Sequence, residues 1–476
     1  MLARLNPQVV LVAFSAVLSL WGLGVPDIDY QVEALRAVVA RTMMETGEWI
    51  VPYHRGGIYI AKPPLMYWII ASFSLPAGTV TELSLRLPSA LATLARAFVI
   101  LRWGRRRSWP TAGLYASFLY LCLPLVLEKG TRGEIEMVLA ACVMLALFIL
   151  YESMEVHAGA RFARTLAAYA FLGLGVLAKG PPALIFFFGT WLVYQTWRGW
   201  RGVRARDHLA GVAVVLLMSL AWILPLIHKV GWELPLKVLQ VEAVDRVAQA
   251  HRGNEGPLYF YPLSIALAAF PAVVMLPFIQ ARRLAAQQPA FVFLLCWVAV
   301  PVVLFSLSDA KESRYLLPLY PALAVLGGLG LDHLCRRIAA RPGAYLRRGL
   351  KAAIAAVGLI GPVLALAYER LLPGQGLRGL AWGALWVGLC GVVFVAFSKG
   401  RLKATGVALL ALLVVLKAIY VTAYLPVREQ RKSPREIAAR VAARLPQDER
   451  LFAFRMMSSA FDYYIDRPMF TVNTVN

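Results

Sequence analysis

Asp27 and Asp29 stand two residues apart in PDIDY, directly after a long apolar run. A carboxylate there can accept a proton or orient a hydroxyl, and capping of the following helix accounts for only one of the two. Lys62 precedes two prolines in YIAKPPLMYW. The prolines hold the backbone extended or turned, and a cation fixed on such a turn suits a phosphate oxygen. A lysine snorkelling beside Tyr59, Tyr67 and Trp68 describes the same stretch. EKGTRGEIEM crowds Glu128, Lys129, Arg132, Glu134 and Glu136 together, for which mutual salt bridging is the simplest account. Residues 241–262 carry Glu242, Arg246 and His251, with Glu242 and Arg246 at ordinary helix-pair spacing. SLSDAKESRYLLPLYP adds Lys311, Arg314 and Tyr315, while Lys179 in LAKGPP reads as a loop lysine at a turn.

The elements that position these residues follow from composition. The chain is 476 residues long, 60% hydrophobic and 16% charged, far from the balance of a soluble domain. Apolar runs of about 20 residues, the length that crosses a bilayer, recur from residue 7 to residue 424. This is an all-α polytopic membrane protein. The first run, 7 to 25, reads as a retained span because no small-residue cleavage pattern follows it.

The net charge of +23 raises nucleic acid as a partner, but most basic residues lie in short clusters between spans: 102–107, 198–206, 282–283, 336–351 and 399–403. That is the mark of cytoplasmic loops, and a nucleic-acid partner is not expected. All five clusters share one side only if the short, proline-led segment 65–77 lies in the interface instead of crossing. The count is then about thirteen spans: 7–25, 86–102, 110–127, 137–152, 166–179, 182–197, 208–228, 258–279, 289–306, 314–334, 349–367, 379–397 and 403–424. The five cysteines show no paired spacing for a disulfide framework or a zinc site.

On this topology the unusual polar residues fall in external segments, chiefly 26–85, 128–136, 229–257 and 307–313. Residues 30–49 form an amphipathic helix, with Val32, Leu35, Val39 and Met43 on one face, expected to lie along the membrane. Residues 1–425 read as the transmembrane domain. Residues 426–476 read as a small periplasmic α/β appendage, marginal as an independent core. External Lys62, Arg246, Lys311 and Arg314 make a cationic surface where Lys and Arg should be scarce, and anionic lipid headgroups are the evident reason.

From Asp27 to about Tyr320 the order of motifs resembles the GT-C-type glycosyltransferases that use a polyprenyl-phosphate sugar, specifically the aminoarabinose transferase and protein O-mannosyltransferase family. The ordered set is the acid after span one, Gly47 and Trp49, KPPLMYW, RLPS (Arg86 to Ser89), LAKGP, an acid followed four residues later by Arg246, and KESRYLLPLYP. The resemblance implies a catalytic acid at Asp29, with Asp27 as the neighbouring candidate, and a second acid at Glu136. It implies phosphate contacts from Lys62, Arg246 and Tyr315, to which the residues themselves add Arg314. Tyr59, Glu242, His251 and Lys311 are candidates for acceptor or substrate binding. In the family an Asp-Glu pair stands about seventeen residues before the tryptophan; Asp29 is twenty before Trp49 and is followed by Tyr30, and Ala61 stands where the aminoarabinose branch has Glu.

A sugar on a lipid phosphate needs cations to take up the charge developing on that phosphate and, for a hydroxyl acceptor, a carboxylate to take its proton. No cofactor is required by this chemistry, although the external acids and His251 leave room for a divalent cation. The implied partners are a polyprenyl-phosphate-sugar donor, a lipid, glycan or protein acceptor, and membrane lipids. The implied location is a bacterial inner membrane with the site facing the periplasm. A transporter or lipid flippase would instead place its charges near the bilayer midplane.

Overall fold

The computed structural model describes residues 6–156, 158–201, 203–240, 256–308, 311–340, 344–371, 374, 376–444, 451–454, 459–465 and 469–472. Helices dominate it. α1 (Pro7–Leu20) and α2 (Gln31–Thr46) come first, then a hairpin of β1 (Tyr53–His54) and β2 (Gly57–Ile58), then α3 (Leu65–Ser74) and α4 (Glu82–Arg106). α5 (Pro110–Cys122), α6 (Pro124–Gly130), α7 (Ile135–Ser153), α8 (Ala158–Lys179), α9 (Pro182–Arg198) and α10 (Ala205–Val230) follow. The later long helices are Pro289–Ser306, Tyr320–Ala340, Gly376–Ser398 and Leu402–Ile419, with Ala344–Gly358 and Ile360–Leu371 between the last three.

Among the described residues nine helices are long and apolar enough to cross a bilayer, ten if α5 and α6 count as one span broken by a 62° bend. Pro124 at the first turn of α6 supplies the break, since it cannot donate to the preceding turn. α1 and α3 are apolar but shorter. At about 1.5 Å per residue the ten-residue α3 cannot cross, in keeping with an interfacial segment. The expected span 258–279 is not one helix: it divides into Phe260–Ala268 and a tight turn Val273–Phe278, with Pro271 and Pro277 interrupting the ladder.

α4 opens with a capping box in which Thr81 and Ser84 satisfy each other's backbone N–H groups. At its far end it turns tightly into α5, where a Cβ on Gly104 would come within 2.6 Å of the Gly113 backbone, so this crossing requires glycine. α7 and the first three turns of Tyr320–Ala340 are enclosed. α10 presents Leu209, Leu216, Leu217 and Leu224 outward, as a lipid-facing helix must. All five cysteines are free.

α2 departs from the expected surface helix. Glu33 and Arg36 are buried with Val39 and Met43, and Ala34, Ala37 and Ala40 are enclosed as well. α3, the β1–β2 hairpin and the C-terminal segment cover it. The C-terminal elements are helix Pro434–Ala442, β3 (Leu451–Phe454), helix Ser459–Ile465 and β4 (Met469–Val472), with β3 and β4 parallel. This unit is docked: Arg41 of α2 donates to the Tyr463 carbonyl at 2.9 Å, Tyr463 donates to Val80 O at 2.7 Å, and Arg55 pairs with Asp462 at 2.6 Å.

Candidate active site

α7 and α8 form an antiparallel hairpin, so the first turn of α7 and the last residue of α8 meet at one end of the bundle. Glu136 and Lys179 occupy those positions, and Lys179 Nζ lies 2.8 Å from Glu136 Oε1. Two further cations reach the same carboxylate. Arg36 Nη2 from α2 is 3.8 Å away, and Arg314 Nε from the turn Ser313–Leu319 is 3.6 Å away.

Glu134, two residues before Glu136 and the N-cap of α7, is held by Arg36 Nη1 at 2.9 Å and Lys129 Nζ at 3.4 Å, with Arg314 Nη1 at 4.0 Å. Its backbone is fixed as well. Gly133 N–H donates to Glu33 at 2.9 Å, the Gly133 carbonyl accepts from Arg36 at 2.5 Å, and Glu134 N–H donates to Ser89 Oγ at 3.0 Å. Burial, and then the Glu136 charge, push the Glu134 carboxyl above its ordinary range, while Arg36, Lys129 and Arg314 pull the other way. Arg36 is raised in turn by these two carboxylates, against the effect of its own burial.

Tyrosines frame the cations. Lys179 sits 4.5 Å over the Tyr315 ring, and Lys129 and Arg132 lie 5.1 and 5.0 Å over Tyr30. Arg314 donates to the Tyr30 hydroxyl at 3.2 Å. Two acids lie at the exposed rim, Glu312 on Arg314 and Glu128 on Lys129. Four cations therefore surround two buried carboxylates, in a setting where the charges interact far more strongly than in water.

Beneath this cluster Glu33 pairs with Arg86 at 2.7 Å, both almost fully buried. Arg86 also donates to the carbonyls of Leu23, Pro26 and Asp27, which sets the path of the chain out of α1. Neither Asp27 nor Asp29 caps α2, whose N-cap is Tyr30 with no side-chain bond. Both acids turn to the C-terminal segment instead. Asp29 pairs with Arg428; Asp27 accepts from Ser433 at 2.5 Å and Arg435 at 3.0 Å.

Glu136, Arg314 and Tyr315 come together around Lys179, with Asp29 joined to them through Tyr30. Lys311 is nearby in sequence but buried on the Gly256 carbonyl at 2.7 Å. Lys62 donates to Ala61 O at 3.1 Å and has further interactions, and Tyr59 packs 6.1 Å from His54. Glu242, Arg246 and His251 lie outside the described residues. Glu33, Arg36 and Lys179 were not anticipated. The seventeen-residue spacing from Trp49 would have pointed to Glu33, since it falls on Val32 and Glu33. Among the described residues no three His, Cys, Asp or Glu side chains converge as a metal site.

Comparison with known proteins shows what the chain is similar to. Residues 61–224 match the dolichyl-phosphate-mannose-protein mannosyltransferase family model. An undecaprenyl phosphate-alpha-4-amino-4-deoxy-L-arabinose arabinosyl transferase of Pseudomonas paraeruginosa is 31% identical over 363 residues, 73% of this chain and 64% of that one. Over about three quarters of its length the chain is thus similar to a lipid-phosphate-sugar-dependent glycosyltransferase. A second such transferase, from Pseudomonas fluorescens, is 29% identical over 65% of this chain and 52% of its own length. The chain spans between about half and just under two thirds of these curated relatives. Among solved structures, ArnT from Cupriavidus metallidurans bound to undecaprenyl phosphate superposes with a TM-score of 0.78 at 21% identity, over 98% of this chain and 86% of that one. The archaeal oligosaccharyltransferase AglB from Archaeoglobus fulgidus shares the GT-C fold more distantly, with a TM-score of 0.56 at 13% identity over 97% of this chain and 63% of that one.

Proposed function

We propose that this chain is an integral-membrane glycosyltransferase of the GT-C type. In this reading it moves a sugar from a polyprenyl (undecaprenyl) phosphate donor to a lipid, glycan or protein acceptor at the periplasmic face of a bacterial inner membrane, lipid A modification being one such reaction. The observation that carries the reading is the meeting of Lys179, Arg314 and Arg36 around Glu136 at one end of the bundle. Relatives named as undecaprenyl-phosphate aminoarabinose transferases support it.

In the reaction the bond between the sugar's anomeric carbon and the phosphate oxygen breaks, and the leaving phosphate gains negative charge. Lys179, Arg314, Lys62 and Arg246 are assigned to that charge, with Tyr315 orienting Lys179. The acceptor hydroxyl forms the new bond and gives its proton to a carboxylate. Asp29 is assigned that role: its carboxylate is a third exposed and has one arginine partner. Glu136, by contrast, has its oxygens occupied by three cations, which suits it to holding those cations in place. Asp27 orients the acid-bearing segment, and Tyr59, Glu242, His251 and Lys311 are assigned to acceptor or substrate contacts.

We further infer thirteen crossings, a catalytic unit over 1–425 and a periplasmic segment over 426–476. No cofactor is required by this scheme, and EDTA treatment tests whether a divalent cation contributes. A transporter or flippase would carry its charges near the midplane. Arg96, buried part-way along α4, packs on Met137 and the Tyr120 ring. The deciding experiment is transfer of labelled sugar from purified polyprenyl-phosphate donors in detergent by wild type, Asp29→Asn and Lys179→Met. Full activity in both variants overturns the assignment.

A further inference from the structure

At the end of α4 opposite the candidate active site, four arginines stand within one and a half turns: Arg102, Arg105, Arg106 and Arg107. Two are neutralised, Arg106 by Glu152 and Arg107 by Glu155 at the end of α7. The other two have no carboxylate partner among the described residues. Arg105 faces the side-chain amide of Gln8, whose oxygen accepts from the guanidinium once the amide is turned to meet it, and Arg102 is exposed. Between them lies a cleft of about 490 Å³ lined by Gln8, Arg102, Arg105 and Arg106, and by apolar Phe98, Val99 and Leu101. At about 1.5 Å per residue the 25-residue α4 spans the full hydrocarbon thickness. The cleft therefore sits at the opposite interface from Glu136 and Lys179.

Its chemistry is divided in a way that identifies the occupant. Two uncompensated guanidinium groups attract a phosphate, and the membrane-ward wall of Phe98, Val99 and Leu101 is suited to methylenes and offers nothing to a soluble ion. We propose that this cleft binds an anionic glycerophospholipid, with Arg102 and Arg105 on its phosphate and the apolar wall against the first carbons of its acyl chains. Arg106 closes the rim while remaining paired with Glu152. The proposal needs only that the bundle is embedded in a bilayer, and it is independent of the transferase reading.

The test is native mass spectrometry of the full chain titrated with phosphatidylglycerol or phosphatidylcholine, comparing wild type, R102Q/R105Q and the unrelated basic pair R282Q/R283Q. Wild type and R282Q/R283Q are expected to retain phosphatidylglycerol in preference to phosphatidylcholine. R102Q/R105Q is expected to lose about 30-fold in phosphatidylglycerol affinity with phosphatidylcholine unchanged. Thermal melts establish that the variants fold, and both altered side chains are exposed. Undiminished phosphatidylglycerol binding in R102Q/R105Q overturns the site. An equal loss in R282Q/R283Q overturns it in favour of general surface charge. Displacement of the lipid by glycerol 3-phosphate at matched concentration overturns the lipid in favour of a soluble phosphate.

Discussion

Lys179 Nζ and Glu136 Oε1 lie 2.8 Å apart, at the last residue of α8 and in the first turn of α7. The pair closes the α7–α8 hairpin at the end where Arg36 and Arg314 also converge. Removing Lys179 leaves Glu136 with two more distant cations and deletes the group best placed for a phosphate. Lys179→Met is expected to lower transfer by about 10²- to 10³-fold, the usual loss for one preorganised charge donor. Stability should fall by about 3 kcal/mol, the low end for breaking a buried pair. Lys179→Met with Glu136→Gln should recover stability in a thermal melt without recovering transfer. Recovery of both would make the pair purely structural.

Asp29 and Asp27 separate by their partners. Asp29 is a third exposed and paired with Arg428, so Asp29→Asn should keep the melting temperature while lowering turnover by about 10²- to 10⁴-fold, as loss of a general base does. Asp27 is tied to Ser433 and Arg435. Asp27→Asn should instead loosen the C-terminal segment, seen as faster proteolytic cleavage beyond residue 432, with transfer reduced less than in Asp29→Asn. The reverse ranking would exchange the two assignments.

Glu134 links the cluster to pH. Its carboxyl is raised above the ordinary value of 4.5, first by burial and then by the Glu136 charge. Between the ordinary value and the raised one, the folded chain holds a proton that the unfolded chain has released, so stability falls as pH rises through that window. Melting temperatures of wild type and Glu134→Gln, followed from pH 4 to pH 7.5, should therefore show the wild type losing ground to the variant as pH increases. A wild type that gains on the variant over that range would mean that Arg36, Lys129 and Arg314 outweigh burial.

Much of this site can be read in the sequence, and the remainder fails for physical reasons. Span-length apolar runs and clustered arginines identify the bundle and its two faces, and Glu136, Arg314 and Tyr315 stand out as charged or aromatic residues beside spans. Lys179 ends an apolar run and precedes Gly180 and two prolines, where a solvated lysine is the ordinary outcome; only the α7–α8 hairpin reveals its partner 43 residues earlier. Glu33 and Arg36 lie on the polar side of α2, a pattern shared by any surface helix, and their buried partners, Arg86 and the loop at 133–136, lie about 50 and 100 residues away in the sequence. The broken segments at Pro124 and at Pro271 and Pro277 retain apolar composition through the break, so hydropathy counts them as continuous.

Arg86 gives the sharpest test of that long-range construction. Its guanidinium holds Glu33 at 2.7 Å and bonds the carbonyls of Leu23, Pro26 and Asp27, in a setting almost without solvent. Arg86→Met leaves Glu33 charged and buried and three carbonyls unpaired, at a cost of about 3–5 kcal/mol. Because Glu33 also receives the Gly133 N–H, the loop carrying Glu134 should shift with it. Transfer should then fall with no substrate contact altered, and Arg86→Lys should restore only part of both properties, since an ammonium cannot reproduce the fork. If Arg86→Met melts like wild type, the path of the chain from α1 to α2 is set by packing, and the Glu33–Arg86 pair does not position the site.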